Sequence, residues 1–477
     1  MVVSSWIRRS ANSLAGCGMI ARLSLVAVAL VGSQSTFAQE HPCLDKNCSE
    51  SIDESCGEST GESCGESNDP YASLFDGALC DRQFLLGDLG GFRSSAASKG
   101  YSFSASSTQF YQGVASGGIS QEFAYSGRND YLLNVDGEKA GLWKGLFITL
   151  HGETRYGSTV NSATGALMPT NVAMLFPATN GTVTALTGVK VTQALSEQFI
   201  VFGGKINILD ELSQPYAGGR GVDAFMNMGL AFPVAAARTV PYSSLGAGFA
   251  VLEGVEPIVS VMVLDTHNTP TTSGFENFFN NGASTIANLN VPVSIMDRPG
   301  HQGIWGTYST ATYSDLQPTA YFDPNVGPVI VTGQQTGSWS IFYSADQALY
   351  VDPSNPKRSY GVFTNVGLAD NGPSPVHWSA NVGLGGSAPV SSRPLDTFGI
   401  GYSHVGYSSP VENLAPVLLP IGNDDAVELF YNFAVTKYFR ITPDLQILMP
   451  ARERTLPPGA QDIDTAVVVG LRGKIEF

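Results

Sequence analysis

Val467-Val468-Val469-Gly470-Leu471-Arg472-Gly473-Lys474-Ile475-Glu476-Phe477 ends the chain, and its side chains alternate in character. The apolar members of one face are Val467, Val469, Leu471, Ile475 and Phe477, and the charged members of the other are Arg472, Lys474 and Glu476. A period of two indicates a strand whose two faces meet different surroundings. In a transmembrane barrel the apolar face meets lipid and the polar face meets the lumen. The stretch therefore predicts the closing strand of an outer-membrane barrel, with its charged residues pointing inward.

The composition of the chain agrees with a barrel wall. Charged residues make up 14% of the 477 residues, well below the roughly 25% of soluble domains. Apolar residues make up only 43%, too few for a bundle of membrane helices, and 53 glycines suit tight turns and close packing of strands. The pI near 4.7 and the lack of a basic patch argue against nucleic-acid binding.

Residues 1–38 have the pattern of an export signal. Arg8, Arg9 and Arg22 precede a short apolar run at 23–31, and small residues follow at a cleavage position before Gln39. An uncleaved membrane anchor is the alternative, but the run is too short to cross a bilayer. We expect the mature protein to begin at Gln39.

Residues 39–80 form an acidic, cysteine-containing segment of their own. Ten acidic residues accompany one lysine, and five of the six cysteines of the chain lie here. This composition cannot bury a core, so we expect a flexible periplasmic spacer. An exported segment favours disulfides over a metal site because the cysteines have Glu, Ser and Gly as neighbours, not His. Their pairing stays open because five cysteines cannot all pair within one chain.

Residues 81–477 carry the alternating segments of the predicted barrel domain. A short helix is expected over Gly90–Lys99, ended by Gly100. Four clear strands are expected at 142–156, 200–208, 376–384 and 427–435, each with an apolar face directed at lipid. Strands of about ten residues suffice to cross the hydrocarbon. At about 25 residues per strand and connection, the fold class is an all-β, transmembrane antiparallel β-barrel of 16 strands.

An ordered series of short motifs resembles the carbohydrate-selective outer-membrane porins, the OprB family. They include Leu86-Gly87-Asp88-Leu89-Gly90-Gly91-Phe92-Arg93, Gly204-Lys205-Ile206-Asn207, Asp346-Gln347, Asp396-Thr397-Phe398-Gly399-Ile400-Gly401-Tyr402 and Glu428-Leu429-Phe430-Tyr431-Asn432. The family usually has Trp where Leu89 stands, and residues 210–340 match it poorly. The resemblance implies passive diffusion of sugars across the outer membrane of a Gram-negative-type bacterium, through a barrel whose loops fold inward.

A pore for sugars needs side chains that replace the water of sugar hydroxyls while binding weakly. The inward faces of the predicted strands supply the candidates Glu153, Arg155, Lys205, Asn207, His377 and Asn381, and the family motifs add Arg93 and Asp346. An ordinary lumen-wall role is the simpler interpretation of each. No cofactor, metal or catalytic residue is predicted, and the expected partners are small sugars, outer-membrane lipid and lipopolysaccharide, with a homo-oligomer as an option.

Three alternatives remain beside a sugar porin: a general non-specific porin, a structural protein whose acidic segment binds cell-wall material, and a barrel hydrolase. The hydrolase is disfavoured because Ser403 and His404 are adjacent in one strand and would point to opposite faces.

Overall fold

The structure, a computed structural model, describes residue 75 and residues 77–178, 181–212, 214–324, 327–409, 411, 421–455 and 461–477. The predicted signal peptide and nearly all of segment 39–80 lie outside these residues. Cys80, at the edge of that segment, is disulfide-bonded. None of the helices in the described part of the chain has the length and apolar character that a membrane-crossing helix needs.

Sixteen strands in the described residues form one closed antiparallel sheet in which each strand pairs with its neighbours in sequence and β1 pairs with β16. The strands are β1 Tyr101–Gly118, β2 Phe123–Asp136, β3 Leu146–Gly157, β4 Val183–Ala194, β5 Phe199–Asn207, β6 Ser243–Glu253, β7 Glu256–Asp265, β8 Ala283–Ile295, β9 Arg298–Asp323, β10 Gly327–Asp352, β11 Asn355–Ala369, β12 Val376–Ser387, β13 Thr397–Tyr407, β14 Asp424–Ala434, β15 Phe439–Met449 and β16 Asp464–Glu476. Closure leaves no sheet edge, so backbone groups in the wall need no partner from lipid. The predicted 16-stranded barrel is confirmed.

Four short helices with both ends in the described residues accompany the strands: α1 Phe92–Ser98, α2 Asn161–Thr164, α3 Ile208–Glu211 and α4 Met228–Ala231. Two 3-10 turns lie at Val172–Met174 and Val234–Ala236. The first helix is the one that the sequence predicts. It is followed by Gly100 in a left-handed conformation at φ 84°, which stops the helix and leads into β1.

The closing strand has the two faces that its alternation predicts. Leu471 is 50% exposed on the outside of the barrel, whereas Arg472 is 1% exposed on the inside. Lys474 and Glu476 are also buried on the inner face. Tyr111 of β1 pairs with Leu471, so the outward face continues across the seam where the chain closes on itself.

The connections at the two ends of the barrel differ in length. Turns at 254–255, 296–297 and 353–354 lie at the end that also holds the C-terminus, called here the terminus end. At the other end, called the loop end, the connections are long, as at 158–182 and 208–242. β9 and β10 have 26 residues each, more than twice the length that a tilted strand needs to cross the hydrocarbon.

The two ends of the barrel domain are tied together at the terminus end. Phe477 N donates to the carbonyl oxygen of Ala105 at 2.7 Å, and Leu85 N donates to the carbonyl oxygen of Glu476 at 2.9 Å. Arg93 of α1 donates to the carbonyl oxygen of Phe477 and lies over the ring of Phe84, 4.5 Å from its centroid. The start of the domain therefore covers its last residue.

One predicted strand has its faces reversed. In β5 the sequence suggests that Phe202 and Ile206 face lipid and that Lys205 faces the lumen. Phe202 and Ile206 instead pack inside the barrel with Phe232 and Tyr242. Lys205 pairs with outward Val189 and Leu245 and so points outward. Both faces of β5 are largely apolar, so the interior contacts of a distant loop decide which one is inside.

Candidate functional site

Residues 208–242, called here the crossing loop, leave β5 and traverse the lumen. Helix α4 of this loop contacts β12 and β13 on the far wall, and the turn at Val234–Ala236 contacts β10, β11 and β12. Asn207 begins the loop, since its side-chain oxygen accepts a hydrogen bond from Leu209 N at 3.1 Å and so caps α3. The predicted inward folding of loops is present in the structure.

Charged side chains of the closing strands hold the middle of the crossing loop. Glu428 accepts hydrogen bonds from Met226 N at 2.6 Å and Asn227 N at 2.8 Å. Arg472 donates to the carbonyl oxygens of Gly221 at 3.0 Å and Ala224 at 2.7 Å. Lys474 pairs with Asp223 of the same loop. The inward charges of β14 and β16 therefore bind the protein's own backbone rather than stand free in water.

A buried cluster of charges holds the first part of the crossing loop against β2 and β3. His151 lies 2.5 Å from Asp210, and Arg220 lies 2.8 Å from the same carboxylate. Burial alone would raise the pKa of Asp210, but the positive charges of His151 and Arg220 outweigh it and lower that pKa. The cluster therefore keeps Asp210 ionised and the loop attached.

Asp130, His151 and Glu153 of this cluster lie close enough together to suggest a metal site. Arg128, however, pairs with both Asp130 and Glu153, and Tyr242 donates to Glu153. These carboxylates already have cationic and hydroxyl partners, so we interpret the cluster as a loop attachment.

A second loop, residues 158–182, called here the companion loop, packs against the crossing loop. Val172 N donates to Met226 O at 2.8 Å, and Met228 N donates to Pro169 O at 3.0 Å. The rings of Phe176 and Tyr242 are stacked with centroids 3.9 Å apart. The two loops together fill the side of the lumen next to β1–β5 and leave space on the side next to β7–β11.

The space left on the terminus-end side of the crossing loop, called the inner cavity, has a volume of about 190 Å³. Its wall carries aromatic, amide and charged side chains, among them Glu211, Arg220, Glu256, Asn288, His301, Trp305, Phe342, Asp346 and Asn365. Trp305 and Phe342 are stacked, with centroids 5.5 Å apart and planes 11° apart. His301 lies 3.0 Å from Asp346 and 3.2 Å from Glu256, which fixes the ring between two carboxylates.

A second space on the loop-end side, called the outer cavity, has a volume of about 290 Å³. Arg238 lies over the ring of Tyr313, 4.5 Å from its centroid, and both line this cavity. Val172 and Leu209 line both cavities and therefore stand at the boundary between them. A route along β7–β11 would pass from the outer cavity, past these two side chains, into the inner cavity.

This arrangement suits a small hydroxylated solute. Aromatic faces such as that of Trp305 can cover apolar C–H surface, and the surrounding carboxylates and guanidinium form charge-assisted hydrogen bonds with hydroxyl groups. Because each of these side chains would bind the solute only weakly, a solute could be bound and released by one after another as it passes.

Of the residues that the sequence singles out, Asp346 is the one that lines the inner cavity directly. Asn381 lies behind the cavity wall, where its side chain donates to Gly229 O at 2.9 Å and accepts from Asn365 N at 2.9 Å. Glu153 and Asn207 hold the crossing loop, as described above. Arg155 donates to Gly181 O of the companion loop at 3.2 Å.

Three other candidates are not among the described residues that line the two cavities. Arg93 binds the chain terminus, and Lys205 points outward, where its ammonium donates to the carbonyl oxygens of Leu186, Pro270 and Thr272. His377 occupies a bulge at the loop end of β12, and its Nδ1 lies 3.0 Å from Ala369 O. Strand alternation fails at a bulge because the extra residue breaks the two-residue period.

Sequence reasoning missed Trp305, Phe342 and Arg220, which line the inner cavity. Trp305 and Phe342 do sit on alternating strands, but an aromatic residue on a barrel strand is equally typical of the lipid-facing belt. Ser403 and His404, by contrast, lie on opposite faces as predicted: Ser403 is buried inside, and His404 Nδ1 lies 2.8 Å from outward Asp425.

Comparison with known proteins gives consistent matches. A family model described as "Carbohydrate-selective porin, OprB family" matches residues 120–477. "Putative porin QuiX" of Acinetobacter baylyi is 22% identical over 444 residues, which cover 83% of this chain and 94% of that protein. "Porin B" of Pseudomonas aeruginosa is 23% identical over 201 residues, which cover 38% of this chain and 41% of that protein. The structure titled "High pH structure of Pseudomonas putida OprB" superposes with a TM-score of 0.70 at 19% identity, over 84% of this chain and 100% of that one.

Proposed function

The chain belongs to the carbohydrate-selective porin, OprB family, and on that premise we propose that it admits small neutral sugars to the periplasm by passive diffusion through the two cavities. It is an outer-membrane porin, and porins are channels rather than enzymes. The finer proposal concerns the solute and its route.

The observation that carries the proposal is the inner cavity with its stacked Trp305 and Phe342. An aromatic face beside carboxylates, an imidazole and amides offers one surface for the C–H groups of a pyranose and another for its hydroxyls. Two inward loops narrow the lumen, which supports selective passage more than the general, non-specific porin.

Flux measurements on the purified barrel in proteoliposomes test the proposal. We expect glucose to enter faster than a neutral amino acid of similar size, with flux that saturates as the sugar concentration rises. Equal rates for both solutes would favour a general porin. A barrel that conducts ions but passes no sugar would contradict the proposal.

Trp305→Ala tests the route. Loss of the aromatic face removes roughly 0.5–1.5 kcal/mol of favourable contact, so we expect the sugar concentration at half-saturation to rise by a factor of about 2 to 13. The matched control is Trp378→Ala, because Trp378 points outward and is 38% exposed. The same shift in both variants would show that the tryptophan change acts through the fold and not through the cavity.

A further inference from the structure

Residues 266–282, called here the exterior loop, join β7 to β8 at the loop end and fold over the rim onto the outer surface of the barrel. Near its start the loop still belongs to the channel, because Asn268 lines the outer cavity. The chain then passes to the outside. There the carbonyl oxygens of Pro270 and Thr272 accept hydrogen bonds from the ammonium of outward Lys205 at 3.1 Å and 2.7 Å.

The middle of the exterior loop is held against outward side chains of β6 and β7. Val263 of β7 is 39% exposed on the outer face, and Asp265 lies two residues further along the strand, so both point outward. The carboxylate of Asp265 accepts a hydrogen bond from Phe279 N at 2.7 Å. Outward Leu245 of β6 is only 7% exposed because Gly274 of the loop lies against it. The loop therefore covers part of the wall that other outward residues leave open to lipid.

This held part of the loop presents phenylalanine rings to its surroundings. Phe275 is 69% exposed and Phe278 is 50% exposed. The ring centroids of Phe278 and Phe279 lie 4.5 Å apart, and those of Phe275 and Phe278 lie 6.3 Å apart. The three rings form one group, called here the phenylalanine cluster. Large apolar side chains that are grouped and exposed in this way mark a contact with a partner or a membrane.

The phenylalanine cluster continues the lipid-facing wall of the barrel. It lies beside outward Val263, on the stretch of wall that the loop covers. Glu276 and Asn277, between the two exposed rings in sequence, are polar and exposed. Backbone without strand partners is not found facing the hydrocarbon core, so the loop lies at the level of the lipid headgroups. Polar side chains among the headgroups and apolar rings directed at the acyl chains are typical of interfacial segments.

We propose that the phenylalanine cluster inserts into the outer leaflet of the membrane and binds the acyl chains of its lipid. Long loops lie at the outer end of such barrels and short turns at the periplasmic end, so the exterior loop meets the outer leaflet. Acyl chains match the cluster because its exposed rings are apolar and adjoin a surface that already faces lipid. Since the loop starts at the outer cavity, the inserted rings also hold the rim of that cavity at the membrane surface.

Photocrosslinking in outer-membrane vesicles tests what contacts the cluster. Phe275→p-benzoylphenylalanine places the probe in the cluster, and Tyr343→p-benzoylphenylalanine places it on the outward face of β10. Gln121→p-benzoylphenylalanine places it in the exposed turn between β1 and β2 as the matched control. We expect adducts with lipopolysaccharide from positions 275 and 343 and none from position 121. A product between position 275 and a second copy or another protein, or no lipid adduct at 275 where 343 gives one, would overturn the proposal.

Fluorescence quenching tests the insertion independently in proteoliposomes of phosphatidylcholine. The variants are Phe275→Trp and, as control, Gln121→Trp, and the emission of the unmodified protein is subtracted because the chain has tryptophans of its own. The emission added at position 275 should be largely lost when the acyl chains are brominated and should resist iodide in the water, whereas the emission added at position 121 should show the opposite pattern. The shift in gel mobility on heating confirms that each variant is folded. Quenching of Phe275→Trp by iodide but not by brominated lipid would contradict the proposal.

Discussion

Glu428 attaches the crossing loop through two backbone N–H groups that belong to consecutive residues, Met226 and Asn227. A carboxylate offers an oxygen to each group, and Glu428 itself is fully buried. This single side chain therefore replaces the strand partner that the loop backbone lacks. A glutamine at this position would offer one oxygen and one –NH₂ group. The –NH₂ group would then face a backbone N–H, and two donors cannot form a hydrogen bond with each other.

Glu428→Gln should loosen the crossing loop because one buried N–H loses its acceptor, which costs about 1–3 kcal/mol. We expect a larger and noisier single-channel conductance and a lower temperature for the shift in gel mobility. Glu138→Gln, in an exposed turn, is the matched control and should change neither. Unchanged conductance in Glu428→Gln would mean that the loop is held adequately by Arg472 and Lys474.

Lys205 stabilises the barrel wall from the outside and does not contribute to the solute route. Lys205→Met keeps an unbranched side chain one atom shorter but removes the donor for three carbonyl oxygens, so stability should fall by about 1–3 kcal/mol while sugar flux per folded barrel stays constant. Lys437→Met in an exposed turn is the control. A selective loss of sugar affinity in Lys205→Met would instead indicate that Lys205 contacts the solute.

At the scale of elements, the crossing loop decides how wide the channel is, and acidic side chains decide whether the loop stays in place. Asp210 pairs with His151 and Arg220, and Asp223 pairs with Lys474. Burial opposes ionisation of Asp223 as well, but Lys474 and Arg440 outweigh it and lower its pKa. Two attachment points of one loop thus depend on carboxylates that must remain charged.

A carboxylate with a lowered pKa stabilises the attached state at every pH above its ordinary value of about 3.9, and that contribution is lost as the pH falls through the lowered value. Conductance should therefore be constant from pH 7 to about 4 and rise at more acidic pH. Asp223→Asn should show the higher conductance already at pH 7 and a smaller rise on acidification. A constant conductance of the unmodified protein over the whole acidic range in which the barrel stays folded would contradict this account.

The elements differ in how well the sequence predicts them, and the reason is the range of the contacts involved. β3, β14 and β16 follow their alternation because one face is plainly polar. β5 does not, because Phe202 and Ile206 gain partners that lie about thirty residues further along the chain. The inner cavity was predicted only at Asp346, since the loop that builds it is positioned by contacts such as Glu428 to Met226 that join residues about two hundred positions apart.

At the scale of the whole molecule, the described strands that close the barrel all follow the acidic segment 39–80 in sequence. β1 begins at Tyr101, and the last strand pairs directly with it. Segment 39–80 precedes these strands in sequence, and Leu79 at its end packs against the cluster that contains Phe477. Its predicted role as a spacer, or the alternative of a contact with cell-wall material, can be tested without disturbing the channel.

A variant that lacks residues 39–74 should fold and conduct sugar at the rate of the full mature chain, because it keeps every described residue that lines the two cavities. Flux in proteoliposomes and sedimentation with purified cell wall measure the two properties separately. Loss of sedimentation with unchanged flux would support wall binding by the segment, whereas loss of flux would contradict its separation from the channel.

The covered C-terminus has a practical consequence for work on this protein. Phe477 is 6% exposed, and its carbonyl oxygen is bound by Arg93. An affinity tag fused after Phe477 would have to displace that arginine and the segment around Leu85 before the seam between β1 and β16 could form. Purification handles are better inserted at the loop end, where the chain turns between the two 26-residue strands β9 and β10.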